Sequence, residues 1–139
     1  MDITVYLPDE IGTWAKDNDL KLSAMLRAAV TEERDRRAAV ARTLGDSAVH
    51  ELRVEGRDGP SYAVRVHGAL IAEQHGGPAG DVYVYLTEDE RLFVHGGGRL
   101  DEVGDRGDLR DLLYDDDAYI AAMDALGAEA VIDIGQAGR

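Results

Sequence analysis

Asp2-Ile3-Thr4-Val5-Tyr6-Leu7-Pro8 is the stretch on which the fold prediction rests. Apolar and polar residues alternate along it, so that Ile3, Val5 and Leu7 share one face and the polar members share the other. Period-two alternation is typical of a half-buried strand. Pro8 ends this strand and begins a helix, because its fixed φ suits the first helical position. The N-terminus therefore predicts one short strand followed directly by a helix.

Two helices are expected after the strand. Ile11 and Trp14 lie on one face of the first, and Ser23 is placed to cap a second, longer helix that runs towards Leu44. A single strand has no ladder partner for its backbone groups, and even a two-stranded ribbon is marginal alone. The economical arrangement is a dimer in which the same strand from two chains pairs antiparallel. This is the ribbon-helix-helix fold, one of the β-ribbon readers of the DNA major groove.

The first third of the chain also resembles a known family. Three segments are similar to the DNA-binding half of CcdA-type antitoxins: Ile3-Thr4-Val5-Tyr6-Leu7-Pro8, Asp19-Leu20-Lys21-Leu22-Ser23-Ala24 and Glu32-Glu33-Arg34-Asp35-Arg36-Arg37. The spacing from the strand to the capping serine is more specific than any single residue. The resemblance implies a dimer whose strand touches bases while the start of the second helix binds phosphate.

The resemblance assigns residues to these roles. The implied base contacts are Asp2, Thr4 and Tyr6, although a basic residue is usual at the position of Asp2. The implied phosphate contacts are Lys21, Ser23 and Ala24, at a helix start whose N–H groups suit an anion. The implied dimer core is Ile3, Val5, Leu7, Trp14, Leu26 and Val30.

Composition and charge restrict the setting. The chain has 139 residues and no cysteine, which fits a reducing cytoplasm. No apolar run reaches membrane-spanning length and no signal-peptide pattern opens the chain, so a cytoplasmic protein without a membrane partner is expected. Residues 1–44 carry seven Lys or Arg and eight Asp or Glu, whereas residues 45–139 carry eight Arg and twenty Asp or Glu. DNA binding therefore requires the basic side chains to lie together near the N-terminus.

A domain boundary is predicted near residues 45–47, which separates residues 1–44 from a second domain at residues 48–135. Alternation and turn residues in the second part predict two hairpins, over residues 50–66 and 82–95. Gly96-Gly97-Gly98 is expected to break the sheet, Asp116 or Asp117 to cap a helix, and residues 131–134 to form a final strand. The predicted fold class is α+β: an N-terminal ribbon-helix-helix as an intertwined dimer, followed by a small antiparallel sheet domain with one or two C-terminal helices.

The second part is similar to the bacterial EXLDI family. The segments that carry this resemblance are Val66-His67-Gly68-Ala69-Leu70-Ile71-Ala72-Glu73, Val84-Tyr85-Leu86-Thr87, Phe93-Val94-His95 and Ala130-Val131-Ile132-Asp133-Ile134. Members look like a ribbon-helix-helix start joined to a small sheet that finishes with Glu-x-Leu-Asp-Ile. Ala130 stands where the family has Glu, so the match at the tail is partial. The resemblance implies an architecture and no activity.

Enzymatic chemistry is not predicted. His50, His67, His75 and His95 show no ligand spacing for a metal, and no cysteine joins them. Residues 115–117 lack the glycine and the terminal Glu of a calcium loop. The glycine triplet is not followed by the Lys-Ser/Thr pair of a phosphate loop, and no nucleophile elbow is present. We therefore expect neither a catalytic site, nor a metal, nor a cofactor.

Two functional classes stay open. The first is a dimeric, sequence-specific transcriptional regulator that binds double-stranded DNA, as a homodimer or a dimer of dimers. The second is an antitoxin-like interaction protein whose acidic C-terminal domain binds a basic protein partner while the N-terminal part regulates its own gene. The folded pattern of residues 48–135 favours the regulator, because CcdA-type tails are polar and disordered. A third possibility is a dimer scaffold that has lost DNA binding.

Overall fold

The structure, a computed structural model, describes residues 8–17, 21–77 and 80–135. Two compact units are present, residues 1–34 and residues 35–139. The elements, in chain order, are α1 (Asp9–Asp17), α2 (Leu22–Leu44), β1 (Ala48–Val54), β2 (Tyr62–Gly77), β3 (Gly80–Thr87), β4 (Leu92–Gly96), β5 (Arg99–Val103), a 3-10 turn (Arg106–Asp108), α3 (Leu109–Leu112) and α4 (Asp116–Ala125). The division between the units lies within α2.

The strands of the described chain form one antiparallel sheet in the order β1-β2-β3-β4-β5. Each strand pairs with its neighbour in sequence, so every connection is a hairpin. Both predicted hairpins are confirmed: Leu52 of β1 lies opposite Val64 of β2, and Tyr85 of β3 lies opposite Phe93 of β4. Register follows from the alternation of buried and exposed residues, since a slip of one position would turn every apolar side chain to the wrong face.

Two predictions about the sheet are wrong. The glycine triplet does not break the sheet but turns the chain from β4 into β5, because Gly97 and Gly98 adopt φ values of 58° and 76° that glycine accepts without strain. Residues 131–134 form no strand, and the side chains of Val131 and Ile134 are 61% and 92% exposed. Ile132 of that segment instead packs its side chain against the core under the helices.

β2 belongs to two pairings and folds the sheet back on itself. Its first half pairs with β1 and its second half with β3. Gly68 lies where the two pairings meet, and a Cβ there would come within 2.0 Å of the Leu86 carbonyl oxygen, so only glycine permits this approach. The end of β1 then reaches the β4–β5 turn, where the Glu55 amide donates to the Gly98 carbonyl at 2.8 Å. We call β1 with the first half of β2 the folded-back ribbon.

Helices cover one face of the sheet. Leu109 and Leu113 after the 3-10 turn, and Leu126 at the end of α4, are fully buried against Val84 of β3 and its neighbours. The last part of α2 joins this core through Val40. Asp115 caps α4 by accepting from the Asp117 amide, one position before the caps that the sequence predicts. No helix in the described ranges combines the length and the apolar character needed to cross a bilayer.

The predicted ribbon-helix-helix start, as an intertwined dimer in front of a sheet domain, is wrong. The described chain enters its sheet directly from helices, so that the order is helix then sheet. The reason lies in α2, which the prediction assigned to a separate dimer domain. From Asp35 onwards this helix belongs to the sheet unit: Ala39 and Val40 are buried, and the Thr43 hydroxyl donates to the Ala125 carbonyl at 2.7 Å. Its C-terminal half therefore packs on its own chain.

Candidate functional site

The start of α2 is an exposed helix end with a positive character. Lys21, Ser23 and Ala24 are all exposed, and the helix opens with the Met25 amide donating to the Lys21 carbonyl at 3.0 Å. Its first turn contains no carboxylate. The amides of a first helical turn have no partner within the helix, so an anion is favoured there. Arg27, also exposed, lies one turn further along and was not singled out from the sequence.

The other residues implied for DNA contact and dimerisation divide into two groups. Asp2, Thr4 and Tyr6, together with Ile3, Val5 and Leu7, lie outside the described residues. Trp14 and Val30 are 61% and 52% exposed, and Leu26 is half-buried. Ile11 and Met25 are also exposed, so helices α1 and α2 carry large apolar side chains on their surfaces within residues 9–30. Such side chains on amphipathic helices suit association with another chain.

A second candidate site lies on the concave side of the sheet, under the folded-back ribbon. The apolar cluster there consists of Leu52, Val66 and Tyr85, with Val64, Tyr83 and Leu100 half-buried around it. An adjoining cavity of about 460 Å³ is lined by Val64, Arg65, Val66, His67, Thr87, Glu88, Asp89, Arg91, Phe93 and Leu100. Its volume lies within the range of small-molecule sites. This cavity was not foreseen from the sequence, because it depends on the ribbon folding over the sheet.

The two arginines at this cavity each contact a carboxylate. The Arg91 guanidinium lies 4.9 Å from the centre of the Phe93 ring, and its Nε donates to Glu102 at 2.6 Å. Arg65 contacts Glu51 at 3.6 Å. The cavity therefore presents apolar walls beside ion pairs that already balance each other.

Tyr85 lies under the folded-back ribbon, next to His50 of β1. Their rings are 5.0 Å apart, and His50 Nε2 lies 3.2 Å from the Gly68 carbonyl. Burial raises the pKa of the Tyr85 hydroxyl above its usual value, and the neighbouring Tyr83 and Glu73 add to the rise. A phenol in this environment stays neutral, so it contributes apolar surface and one polar tip.

His75 lies between two carboxylates at the end of β2. Its Nε2 is 3.1 Å from Glu73 and its Nδ1 is 3.3 Å from Asp81. Hydrogen bonds to these two carboxylates raise the pKa of His75 above 6.5, outweighing the small effect of desolvation. The arrangement favours the imidazolium, since both ring nitrogens then donate.

The other histidines lie in separate surroundings. His95 Nε2 lies 3.0 Å from the Arg53 carbonyl, and His67 is exposed on β2. Within residues 8–17, 21–77 and 80–135, no three or more His, Asp or Glu side chains are placed to hold a metal ion. His50 and His95 each have a backbone carbonyl as neighbour, which is a structural contact.

The sheet unit is covered in carboxylates. Every one of the twenty Asp and Glu residues between residues 46 and 133 is exposed. The densest stretch is residues 101–117, which holds eight of them against two arginines. Some have local roles, such as Asp105, which accepts from the Gly107 amide, and Asp116, which pairs with Arg110 at 2.6 Å. The surface as a whole repels phosphate and attracts cations.

Comparison with models of protein families, with curated proteins and with solved structures finds no match to this chain. The similarity to CcdA-type antitoxins and to the EXLDI family therefore stays a prediction from the sequence. A fold alone would not define an activity in any case, so function must be argued from the sites.

Proposed function

We propose that this protein is a dimeric DNA-binding transcriptional regulator, without enzymatic activity, that acts in the cytoplasm. The observation that carries the proposal is the exposed start of α2, which has no carboxylate in its first turn and presents Lys21 and Ser23, with Arg27 exposed one turn further along. Side chains of these types and backbone amides are the usual partners of DNA phosphates. The proposal does not use an N-terminal ribbon.

The distribution of charge supports DNA contact at the start of α2. Residues 20–31 contain one lysine, one arginine and no acidic residue, although 28 of the 139 residues are Asp or Glu. The sheet unit, by contrast, has all of its carboxylates on the surface. Carboxylates repel phosphate, so we expect DNA to bind at the start of α2 and the acidic surface to limit non-specific binding.

Dimerisation is the second element of the proposal. The apolar side chains of Met25, Leu26, Ala29 and Val30 recur three and four positions apart, which places them on one stripe of α2. Met25 and Val30 are more than half exposed. A second copy that buries this stripe would remove the apolar surface from water and would place two α2 starts on one DNA site, as palindromic operators require.

The test is a selection of bound duplexes from random DNA, followed by affinity measurements over a series of salt concentrations. Lys21→Ala should weaken binding to all sequences and reduce the salt slope by about 1, since one phosphate contact is lost.

Arg57→Ala is the matched control, because Arg57 is an exposed arginine in the β1–β2 turn and its loss changes the net charge by the same amount. DNA binding that responds equally to Lys21→Ala and Arg57→Ala would mean that only net charge matters. Absence of any binding at low salt would reject the proposal altogether.

A second function, binding of a basic protein partner by the sheet unit, is favoured by one observation: all twenty-one of its Asp and Glu residues are exposed. Asp108 and Asp111 lie in the densest acidic stretch and accept no side-chain hydrogen bond described in this part of the chain. The double variant Asp108→Asn/Asp111→Asn should weaken binding to a co-purified basic partner and leave DNA binding unchanged. Asp46→Asn/Asp58→Asn is the charge-matched control. Equal loss in both variants would indicate non-specific attraction.

A further inference from the structure

We propose that the cavity under the folded-back ribbon binds a small, uncharged molecule that carries an apolar or aromatic ring. The walls that this proposal uses are Val64 and Val66 of β2, Phe93 of β4 and Leu100 of β5. No residue that lines the cavity belongs to α2, so the proposal goes beyond DNA binding and does not depend on it.

The cavity exists because the two faces of the sheet are covered differently. One face is buried by α3, α4 and the end of α2, and its largest side chains are fully buried. Within the described residues, the folded-back ribbon packs on the other face, and three apolar side chains there, Val64, Tyr83 and Leu100, are left half-buried. A ribbon of two strands is too narrow to fill the space that a helix layer would fill. Ligand sites occur in such mouths of curled sheets.

The size of the cavity suits a small molecule. At about 460 Å³ it lies in the range of drug-sized molecules, which is about 300–1,000 Å³. The first half of β2 and the β3–β4 turn border this space. The Glu88 amide donates to the His67 carbonyl at 2.8 Å and so ties that turn to β2.

The polar groups at the cavity favour an uncharged ligand. Arg91 donates to Glu102, and its own amide donates to the Thr87 hydroxyl oxygen at 2.9 Å. The Thr87 hydroxyl in turn donates to Asp89. Because Arg91 and Thr87 already have partners, a charged ligand would have to compete with those partners for them. A neutral ring, by contrast, gains burial against the apolar walls without that competition.

The experiment uses the full chain and N-phenyl-1-naphthylamine, a neutral aromatic probe whose fluorescence rises in apolar surroundings. Saturable binding with one probe per chain is expected. Val64→Phe fills part of the cavity and should weaken binding about tenfold or more, since one well-placed apolar group corresponds to about that factor. Val49→Phe is the matched control: Val49 is 58% exposed on the neighbouring strand β1 and lies outside the cavity lining. It should bind as the wild type does.

A second readout keeps the outcome decisive. Amide chemical shifts of the wild type on addition of the probe should change at Thr87, Phe93 and Leu100. Shifts confined to α1 and α2 would place the probe on their exposed apolar side chains and overturn the proposal. So would wild-type affinity in a folded Val64→Phe variant, or equal losses in both valine variants. If Val64→Phe fails to fold, Leu100→Phe and the shift map decide. DNA binding is measured separately, so failure of one proposal leaves the other intact.

Discussion

Replacing Gly127 with alanine tests whether the end of α2 belongs to the sheet unit. Gly127 follows α4 with a φ of 68°, and a Cβ there would lie 2.7 Å from the Arg36 Cα and 2.9 Å from the Ala39 Cβ, both on α2. A left-handed backbone costs an alanine about 1–2 kcal/mol. Overlap with a packed neighbour adds about 1–3 kcal/mol, and here the nearest atom is backbone, which cannot swing away as a side chain would. The free energy of unfolding should therefore fall by about 2–5 kcal/mol.

Gly97→Ala separates the two contributions. Gly97 in the β4–β5 turn has a φ of 58°, but nothing lies within 4 Å of the position a Cβ would take. This variant should lose only the conformational part, about 1–2 kcal/mol. The assay is urea unfolding followed by far-UV circular dichroism, where a difference of about 2 kcal/mol between the variants moves the midpoint by about 1 M. Tryptophan fluorescence is unsuitable, because Trp14 lies in the other unit.

The comparison of the two glycine variants decides whether α2 contacts the end of α4. If Gly127→Ala lowers the free energy of unfolding no more than Gly97→Ala does, then α2 does not pack against the end of α4. The assignment of the end of α2 to the sheet unit would then be wrong. If both variants lose as much as Gly127→Ala is expected to lose, the turn at Gly97 is crowded in a way that the structure does not show. A larger loss for Gly127→Ala alone supports the contact with Arg36 and Ala39.

Two further predictions concern the second half of β2. Glu73→Gln or Asp81→Asn should each lower the pKa of His75 measured by NMR titration, because each removes a carboxylate that stabilises the imidazolium. Since the folded pKa of His75 is raised, its contribution to stability is fully present below pH 6.5 and is lost as the pH rises through the folded value; a stability that does not decrease in that window would contradict the arrangement. Gln74→Met should cost about 1–3 kcal/mol in thermal or urea unfolding, because Gln74 is buried and its oxygen accepts from the Asp115 amide at 2.9 Å.

The sequence predicts the local elements better than their partners. Alternation gives both hairpins, since Leu52 and Val54, or Val82 and Val84, repeat every second residue and are buried as that period requires. The period of α2 is equally clear, but a helical stripe does not say what covers it. Val40 is buried in the sheet unit of its own chain, whereas Val30 on the same helix is exposed. The ribbon-helix-helix prediction failed at this step.

The candidate sites also divide into one that a local pattern predicts and one that depends on tertiary packing. Lys21 and Ser23 could be proposed from the sequence because a helix start is a local feature, and both are exposed. The cavity could not, because its walls come from Val64, Phe93 and Leu100, which three separate strands bring together only after the sheet folds back. No spacing in the sequence reports that fold, although Gly68 marks the position where it becomes possible.

β3 connects these observations. Its residues 82–86 are apolar or aromatic without interruption, which is typical of a strand that is covered on both faces. One face, with Val84, packs under the helices, and the other, with Tyr85, packs under the folded-back ribbon. Helices can supply a full layer of side chains, but a ribbon supplies only every second residue of two strands. The cavity under the ribbon measures about 460 Å³, against about 320 Å³ for a cavity on the helix-covered face that Val40, Leu92 and Leu126 help to line. A ligand in the larger of these two spaces would pack against Val64 of the ribbon and Leu100 of β5.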